Sequence, residues 1–370
     1  MLDDDADTWN VFREAIPHLV DLALRMPSLF PSASLDPLSI QRSRVTFSHA
    51  QIACINVHAF LGTLGMPEWN DWGGVNLYPH WFGAGVDTTR ELRTSYIRIT
   101  LAYFQQLDHY LQGEPVTFNL STTAHGADAN LDVPLVSLHI VELDEADDNP
   151  QVLSGLARYA QVVSAHRNIG FGPAATQEER VFASVPTLRV APLFVPPLAA
   201  DSALLISGGV RPLAHFRGHL RSARLVSIYA TQPAEQSWLF MDAAELDAWI
   251  PPNDKDTLPD LHPRILQREL TKLLAGFSGL ARGTDVVSIP WGCGAFGGDV
   301  RVKVLLLWIA ASASGNVSRL HFTAPAGGLA VLQQLQSLSA RTLWDVLHSD
   351  ALRSAPSYWA ALANANTALT

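Results

Sequence analysis

The chain has 370 residues, of which 48% are hydrophobic, and its formal net charge at pH 7 is −10. This length and apolar content are sufficient for a sizeable core in one or two domains. The negative balance argues against an extended electrostatic grip on nucleic acid or an acidic membrane surface, because such contacts need clustered cations. An anionic ligand would have to be held by backbone N–H groups and a few local cations.

The first third of the chain has mainly helical patterns. Ser48 and Gln51 have the spacing of a capping box ahead of Ile52, Ile55 and Ala59, which lie on one helix face. A further helix is predicted over residues 91–107, and the Thr-, Ser-, Gly- and Asp-containing residues 113–134 predict a linker. We therefore place a helical accessory region at residues 1–132.

From about residue 133 the pattern changes to short β-like runs separated by helical segments. The candidate strands lie at residues 136–143, 204–206, 225–230, 238–241, 286–289 and 320–323. Such alternation favours an α/β sheet covered by helices on both faces. Residues 133–370 are thus expected to form one α/β domain that ends in closing helices.

The most distinctive segment is a glycine-rich loop at residues 291–299, Trp-Gly-Cys-Gly-Ala-Phe-Gly-Gly-Asp. It follows a predicted strand and precedes a long apolar helix, for which Asp299 is the expected N-cap. Free N–H groups between a strand and a helix N-terminus favour a phosphate. The loop therefore predicts an anion site, although many α/β proteins contain such a turn for structural reasons alone.

A second segment, residues 170–179, joins a glycine turn to acidic residues. Its sequence is Gly-Phe-Gly-Pro-Ala-Ala-Thr-Gln-Glu-Glu. From the residues alone, two interpretations stay open. The two acids form a solvated first helical turn, where they suit the helix dipole, or they are catalytic groups in a cleft.

Together the two segments resemble the catalytic domain of poly(ADP-ribose) glycohydrolases, which carry a triple-glycine turn before Gln-Glu-Glu and, later, the glycine-rich loop. That loop matches here at all nine positions, 291–299. Residues 268–272, Arg-Glu-Leu-Thr-Lys, resemble the family's helix before the loop. The resemblance implies a macrodomain-type three-layer α/β sandwich preceded by a helical accessory region.

The resemblance also implies an enzyme with a site for ADP-ribose. Cleavage of a ribosyl–ribose bond passes through an oxocarbenium-like transition state and needs a proton donor for the leaving oxygen. By resemblance, Glu179 is the general acid and base, Glu178 orients substrate hydroxyls and Gln177 supports the turn. The residues expected to bind substrate are Gln177, Gly170, Phe171, Gly172, His166, Phe216, Gly292, Gly294, Ala295, Phe296 and Gly297.

Several positions depart from the family's pattern. Phe171 replaces the middle glycine of the turn, Val163 and His166 stand in place of an aspartate and an asparagine, and Phe216 stands where a tyrosine is usual. The four-residue spacer before Gln177 is also short. Two alternatives to glycohydrolase activity therefore stay open. The fold has been recruited to a different small-molecule reaction with a remodelled pocket, or the chain is a non-catalytic ADP-ribose-binding module.

No cofactor and no metal is expected. The two cysteines, Cys54 and Cys293, are far apart and predict no disulfide. No recognisable metal-ligand spacing relates His139, His215, His219 and His321. The expected partners are ADP-ribose, poly(ADP-ribose) and ADP-ribosylated proteins, with neither direct DNA binding nor a membrane. The acidic start lacks the features of a signal peptide, which predicts an intracellular location, cytoplasmic or nuclear.

Overall fold

The computed structural model describes residues 13, 15–32, 34–69, 90–123, 129–143, 156, 159–172, 174–231, 233–247, 258–325, 329–349 and 352. Within these, the α-helices are α1 (Ile16–Leu24), α2 (Met26–Leu29), α3 (His49–Leu61), α4 (Arg90–Gln105), α5 (Leu107–Leu111), α6 (Gln177–Ser184), α7 (Pro263–Ser278), α8 (Val300–Ser314) and α9 (Ala340–Leu347). The strands are β1 (Arg44–Phe47), β2 (Val116–Thr122), β3 (Ser137–Leu143), β4 (Ala160–Ala165), β5 (Ser202–Gly208), β6 (Ala214–Arg217), β7 (Arg224–Ile228), β8 (Ser237–Asp242), β9 (Thr284–Ser288) and β10 (Val317–Pro325).

A mixed eight-stranded sheet organises the fold. Its order is β1-β2-β5-β8-β4-β9-β10-β3. The strands from β8 to β3 are parallel, whereas β1, β2 and β5 add an antiparallel flank. Strands β6 and β7 form a separate antiparallel hairpin. Because β8, β4, β9, β10 and β3 run in one direction, their carboxyl ends meet at one edge of the sheet, where α/β proteins commonly bind ligands.

Two apolar cores cover the two faces of this sheet. In β4, Val163 belongs to the core formed with α3, α4 and α6, and Val162 belongs to the core formed with α7, α8 and α9. This alternation follows from the period of two residues in a strand. The three layers confirm the predicted α/β sandwich, and the apolar helix α8 is buried in the core on one face of the sheet. None of the helices in the described part of the chain is long and apolar enough to cross a membrane.

The N-terminal region is built into the sheet, which corrects the expectation of a linker at residues 113–134. The strand β2 occupies residues 116–122 and pairs with β5 over seven positions. Val116, Phe118 and Leu120 point to the core while polar residues alternate with them, a pattern typical of a strand. The Ser48–Gln51 capping box of α3 is confirmed. Residues 124–128 of the expected linker lie outside the described residues.

The six strands predicted in the second part of the chain are confirmed, but β4 and β6 were missed. The only strongly apolar pair of β4 is Val162 and Val163, flanked by Gln161 and Ser164. A run this short gives no clear period. The closing helix α9 confirms part of the predicted C-terminal helices, and residues 353–370 lie outside the described residues.

We expect Phe118→Ala to lower the free energy of unfolding by about 3–5 kcal/mol, because a buried aromatic side chain is lost. Phe118 is fully buried and packs edge-on against Phe194, with ring centroids 5.1 Å apart. Chemical denaturation measures the loss, and Asn119→Ala, on the less buried face of β2, is the control. If the N-terminal helices unfolded in a separate transition at lower denaturant concentration, they would not depend on the shared sheet for their stability.

Candidate active site

A cavity of about 600 Å³ lies at the carboxyl ends of the parallel strands. Five of the segments that line it are used below. They are the end of β4 with His166, the start of α6, the segment after β8, the glycine-rich loop after β9 and the tip of the β6–β7 hairpin. The lining residues used below are Ser164, His166, Thr176, Gln177, Glu178, Glu179, Arg180, His219, Glu245, Asp247, Gly292, Cys293, Gly294, Ala295 and Phe296.

Helix α6 carries the acidic half of the cavity. Its N-cap is Thr176, whose hydroxyl accepts from the Glu179 N–H at 3.4 Å. The Glu179 carboxylate accepts in return from the Thr176 N–H at 3.0 Å, which completes a capping box. Glu178 and Glu179 are each only 4% exposed. The solvated first turn considered as an alternative is therefore wrong.

Gln177 and Glu178 fix this helix to the end of β4. The Gln177 side chain accepts from the Ser164 N–H at 2.6 Å and donates to the Val162 carbonyl at 3.2 Å. The Glu178 carboxylate accepts from the His166 N–H at 2.8 Å and from the Gly170 N–H at 3.0 Å. Each oxygen of Glu178 thus holds the chain that turns away from the strand.

Burial changes the pKa of both acids, Glu178 and Glu179. It raises the pKa of Glu178 well above its usual range, although the N–H groups of His166 and Gly170 oppose the shift. Burial also raises the pKa of Glu179, against the opposing backbone N–H groups of Thr176, Ala175 and Ala174. Proton affinity of this kind is what a general acid requires near neutral pH.

The glycine turn at residues 170–172 supports the acids from behind, and none of its three residues lines the cavity. A Cβ on Gly172 would lie 2.1 Å from Oε1 of Glu179, so only glycine leaves room for that carboxylate. Phe171 is buried against Tyr96 of α4, with ring centroids 5.0 Å apart. Phe171, which was expected to bind substrate, therefore lies outside the cavity lining.

Phe216 is also placed away from the cavity. It is fully buried, and its ring centroid is 6.0 Å from that of Tyr96. Its expected role in stacking on a ligand is therefore not supported by the structure. Val163, the residue in place of an acid, is likewise a core residue. His166 does line the cavity, with Nε2 3.7 Å from the Glu245 carboxylate and its ring centroid 6.3 Å from that of Phe296.

The glycine-rich loop forms the opposite wall. Trp291 is buried and donates from Nε1 to the Met241 carbonyl at 2.9 Å. Gly292 has φ of +73°, and a Cβ there would lie 2.4 Å from that of Ala243, so glycine is required. Asp299 caps α8 by accepting from the N–H groups of Arg301 and Val302, as predicted.

The hydrogen bonds that the loop makes decide which of its N–H groups remain available to a ligand. The Gly292 N–H donates to the Ser164 hydroxyl at 3.0 Å, and the Gly297 N–H donates to the Gly294 carbonyl at 3.2 Å. Gly297 also lies outside the cavity lining. Within the described part of the chain, the N–H groups of Gly294, Ala295 and Phe296 have no protein acceptor. These three, rather than Gly292 and Gly297, are placed to receive an anion.

A buried ion network lies under the loop. The ammonium of Lys303, on the first turn of α8, is fully buried and bonded to the Glu269 carboxylate, with Asp260 at 3.4 Å. It also lies 5.1 Å from the ring centroid of Trp291. Burial alone would raise the pKa of Glu269, but Lys303 and Arg268 outweigh burial and lower this pKa. Asp260 in turn accepts from the Asp299 N–H at 3.0 Å, so the network holds both ends of the loop.

Several lining residues were not predicted from the sequence. Ser164 lies on the missed strand β4, and Glu245 and Asp247 follow the carboxyl end of β8, so a correct sheet order would have pointed to them. His219 had no sequence signal, since it is a single histidine in a turn. Cys293 lines the cavity, and burial raises the pKa of its thiol. Among the described residues, no group of three His, Cys, Asp or Glu side chains could hold a metal ion.

Comparison with known proteins agrees with this architecture. Residues 136–325 match the sequence model of the poly(ADP-ribose) glycohydrolase (PARG) macro domain fold, and residues 3–119 match that of the PARG helical domain. The fold is therefore that of a macro-domain α/β protein with an accessory helical region. The chain belongs to the poly(ADP-ribose) glycohydrolase family.

Solved structures of the same family are more distant. One crystal structure of PARG from Deinococcus radiodurans in complex with ADP-ribose is 15% identical, with a TM-score of 0.35, and the match covers 57% of this chain and 88% of that one. Another is 13% identical, with a TM-score of 0.34, and covers 68% and 95%. These TM-scores are too low to support the family assignment, which rests on the two domain matches.

We expect Lys303→Met to lower the free energy of unfolding by about 3 kcal/mol or more, because Asp260 and Glu269 lose a buried cation. Denaturant titration followed by Trp fluorescence measures the change. The control is Arg319→Met, which breaks the ion pair of an exposed guanidinium with Asp285 and should change stability much less. Equal losses in the two variants would show that the buried network does not hold the loop.

Proposed function

We propose that this chain is an ADP-ribose glycohydrolase that cleaves the ribosyl O-glycosidic bonds of poly(ADP-ribose) or of protein-linked ADP-ribose. The observation that supports this most directly is the arrangement of the cavity. A buried acid pair on α6 faces a glycine-rich loop with three unpaired backbone N–H groups, across about 600 Å³. Both domain matches are to poly(ADP-ribose) glycohydrolases, which is the class of activity we propose here.

Glu179 is the proposed general acid and base. Its Oε2 is held by the Thr176 N–H, while its raised pKa favours a proton on the carboxyl group. Such a group donates this proton to the leaving ribose oxygen as the glycosidic bond breaks. The resulting carboxylate then accepts a proton from the water that attacks the oxocarbenium-like carbon. A single residue thus serves both steps in turn.

Glu178 and Gln177 are the proposed positioning residues. Both oxygens of Glu178 accept from backbone N–H groups, and both polar atoms of the Gln177 amide bond to β4. These contacts fix the first turn of α6 relative to the sheet. Glu178 also lines the cavity, where its carboxyl is available to a ribose hydroxyl.

The diphosphate is proposed to bind at the glycine-rich loop. The N–H groups of Gly294, Ala295 and Phe296 supply hydrogen bonds, and the following N-terminus of α8 adds a favourable dipole. The aromatic ring of Phe296 lines the cavity beside His166 and can pack against a ribose. Backbone donors suit this acidic chain because they bind an anion without a cluster of cations.

The burial of the acid pair favours an enzyme over a binding module. A carboxyl group that is only 4% exposed loses most of its hydration, which costs free energy unless the group is paired or used. A module that only binds ADP-ribose needs no such group. A reaction on another substrate stays an outcome of the experiment below.

We expect Glu179→Gln to lower the rate of ADP-ribose release from poly(ADP-ribosyl)ated protein by a factor of about 10²–10⁴, because general acid catalysis is lost. Calorimetry should show that both proteins still bind ADP-ribose. Glu91→Gln, at another helix start but exposed, is the matched control and should retain full activity.

Other outcomes of this experiment separate the alternatives. Binding by both proteins without turnover by wild type would identify a binding module. Neither binding nor turnover would direct the search to a different substrate of the same cavity.

The raised pKa of Glu179 sets the expected pH dependence. Since the acid must carry its proton, activity should fall as pH rises through the pKa of Glu179, which burial places above its ordinary value of 4.5. A profile of kcat/KM against pH measures this limb. If activity fell already at or below pH 4.5, the ordinary pKa of a glutamate, Glu179 would be excluded as the general acid. The same conclusion would follow if activity did not fall at high pH.

A further inference from the structure

The tip of the β6–β7 hairpin closes one side of the cavity. His219 at this tip lines the cavity, and its ring atoms Cε1 and Nε2 lie 3.5 Å from the position of a Cβ built on Gly294. Gly294 is one of the three loop residues whose N–H groups have no protein acceptor among the described residues. The imidazole therefore faces the part of the loop that is placed to receive an anion.

A backbone hydrogen bond joins this tip to the segment before α6. The non-glycine residues with positive φ among the described residues are Ala175, with φ of 58°, and Leu220, with φ of 51°. They are joined directly, because the Leu220 N–H donates to the Ala175 carbonyl at 3.2 Å. Ala175 precedes the N-cap of α6, and Leu220 follows His219. Strained residues persist where the surrounding structure fixes them, and they concentrate at functional sites.

The charges of the cavity show why a donor on the hairpin is needed. Four acidic residues line the cavity, namely Glu178, Glu179, Glu245 and Asp247. Of the basic lining residues, His166 faces Glu245 at 3.7 Å, and buried Arg180 donates to the Ala175 carbonyl at 2.9 Å. A diphosphate among these carboxyl groups requires donors from more than one side.

We infer that His219 is a substrate-binding residue that holds the diphosphate of the ligand against the N–H groups of Gly294, Ala295 and Phe296. This inference rests on the proposed function, because it assigns a further contact to the same phosphate site. The imidazole ring donates a hydrogen bond to a phosphate oxygen from the hairpin side, and the loop donates from the other side. The Leu220–Ala175 hydrogen bond fixes the hairpin tip to the segment before α6, which forms another wall of the cavity.

Calorimetric titration with ADP-ribose tests this contact without a need for turnover. We expect His219→Ala to raise the dissociation constant about tenfold, the loss typical of one hydrogen bond to a charged group. His219→Phe keeps an aromatic ring but has no donor and should lose as much affinity. His219→Lys restores a donor with a positive charge and should recover most of it. His109→Ala, an exposed histidine on α5, is the control and should bind like wild type.

The outcomes separate this inference from the proposed function. Wild-type affinity in His219→Ala, or in His219→Phe, would overturn the role of the imidazole donor while leaving the proposed function intact. Failure of wild type to bind ADP-ribose would overturn both. Circular dichroism of each variant checks that the hairpin substitution leaves the fold unchanged.

Discussion

The buried ammonium of Lys303 is the contact on which the position of the glycine-rich loop depends. It neutralises Glu269 and Asp260, which come from α7 and the turn before it, and it lies beneath Trp291. Close by, Asp242 at the end of β8 pairs with Arg268 and Lys272 of α7. A buried charge requires a partner in a defined position, so these pairs admit one arrangement of sheet, helices and loop. These pairs hold the loop in the conformation in which the N–H groups of Gly294, Ala295 and Phe296 have no acceptor among the described residues.

The acidic half is held by a different balance. Nothing in the described part of the chain forms a salt bridge to Glu178 or Glu179. Instead, backbone N–H groups stabilise their ionised forms while burial favours the protonated forms, and burial has the larger effect on both. One wall therefore carries acids with a raised proton affinity, and the other carries fixed donors. The chemistry of a glycosidic bond next to a diphosphate requires both in one small volume.

Much of the fold followed from the sequence, because the glycine-rich loop, the apolar helix α8 and the regular strands have strong local patterns. What failed depended on tertiary context. The strand β2 was assigned to a linker because its polar residues concealed an alternating pattern, and β4 was too short to show a period. The site motifs indicated Glu178, Glu179 and the loop. They could not show that Phe216 is buried, or that the N–H groups of Gly292 and Gly297 already donate to Ser164 and Gly294.

The packing of Phe171 has a consequence for how this sequence can change. Its ring fills a space between Tyr96 of the N-terminal region and the guanidinium of Arg189, which lies 5.8 Å from its centroid. Phe171→Gly would empty this space at a cost on the order of 3–5 kcal/mol for a buried phenyl group. Tyr96 and Phe171 therefore depend on each other, and a change at either position requires repacking in both regions.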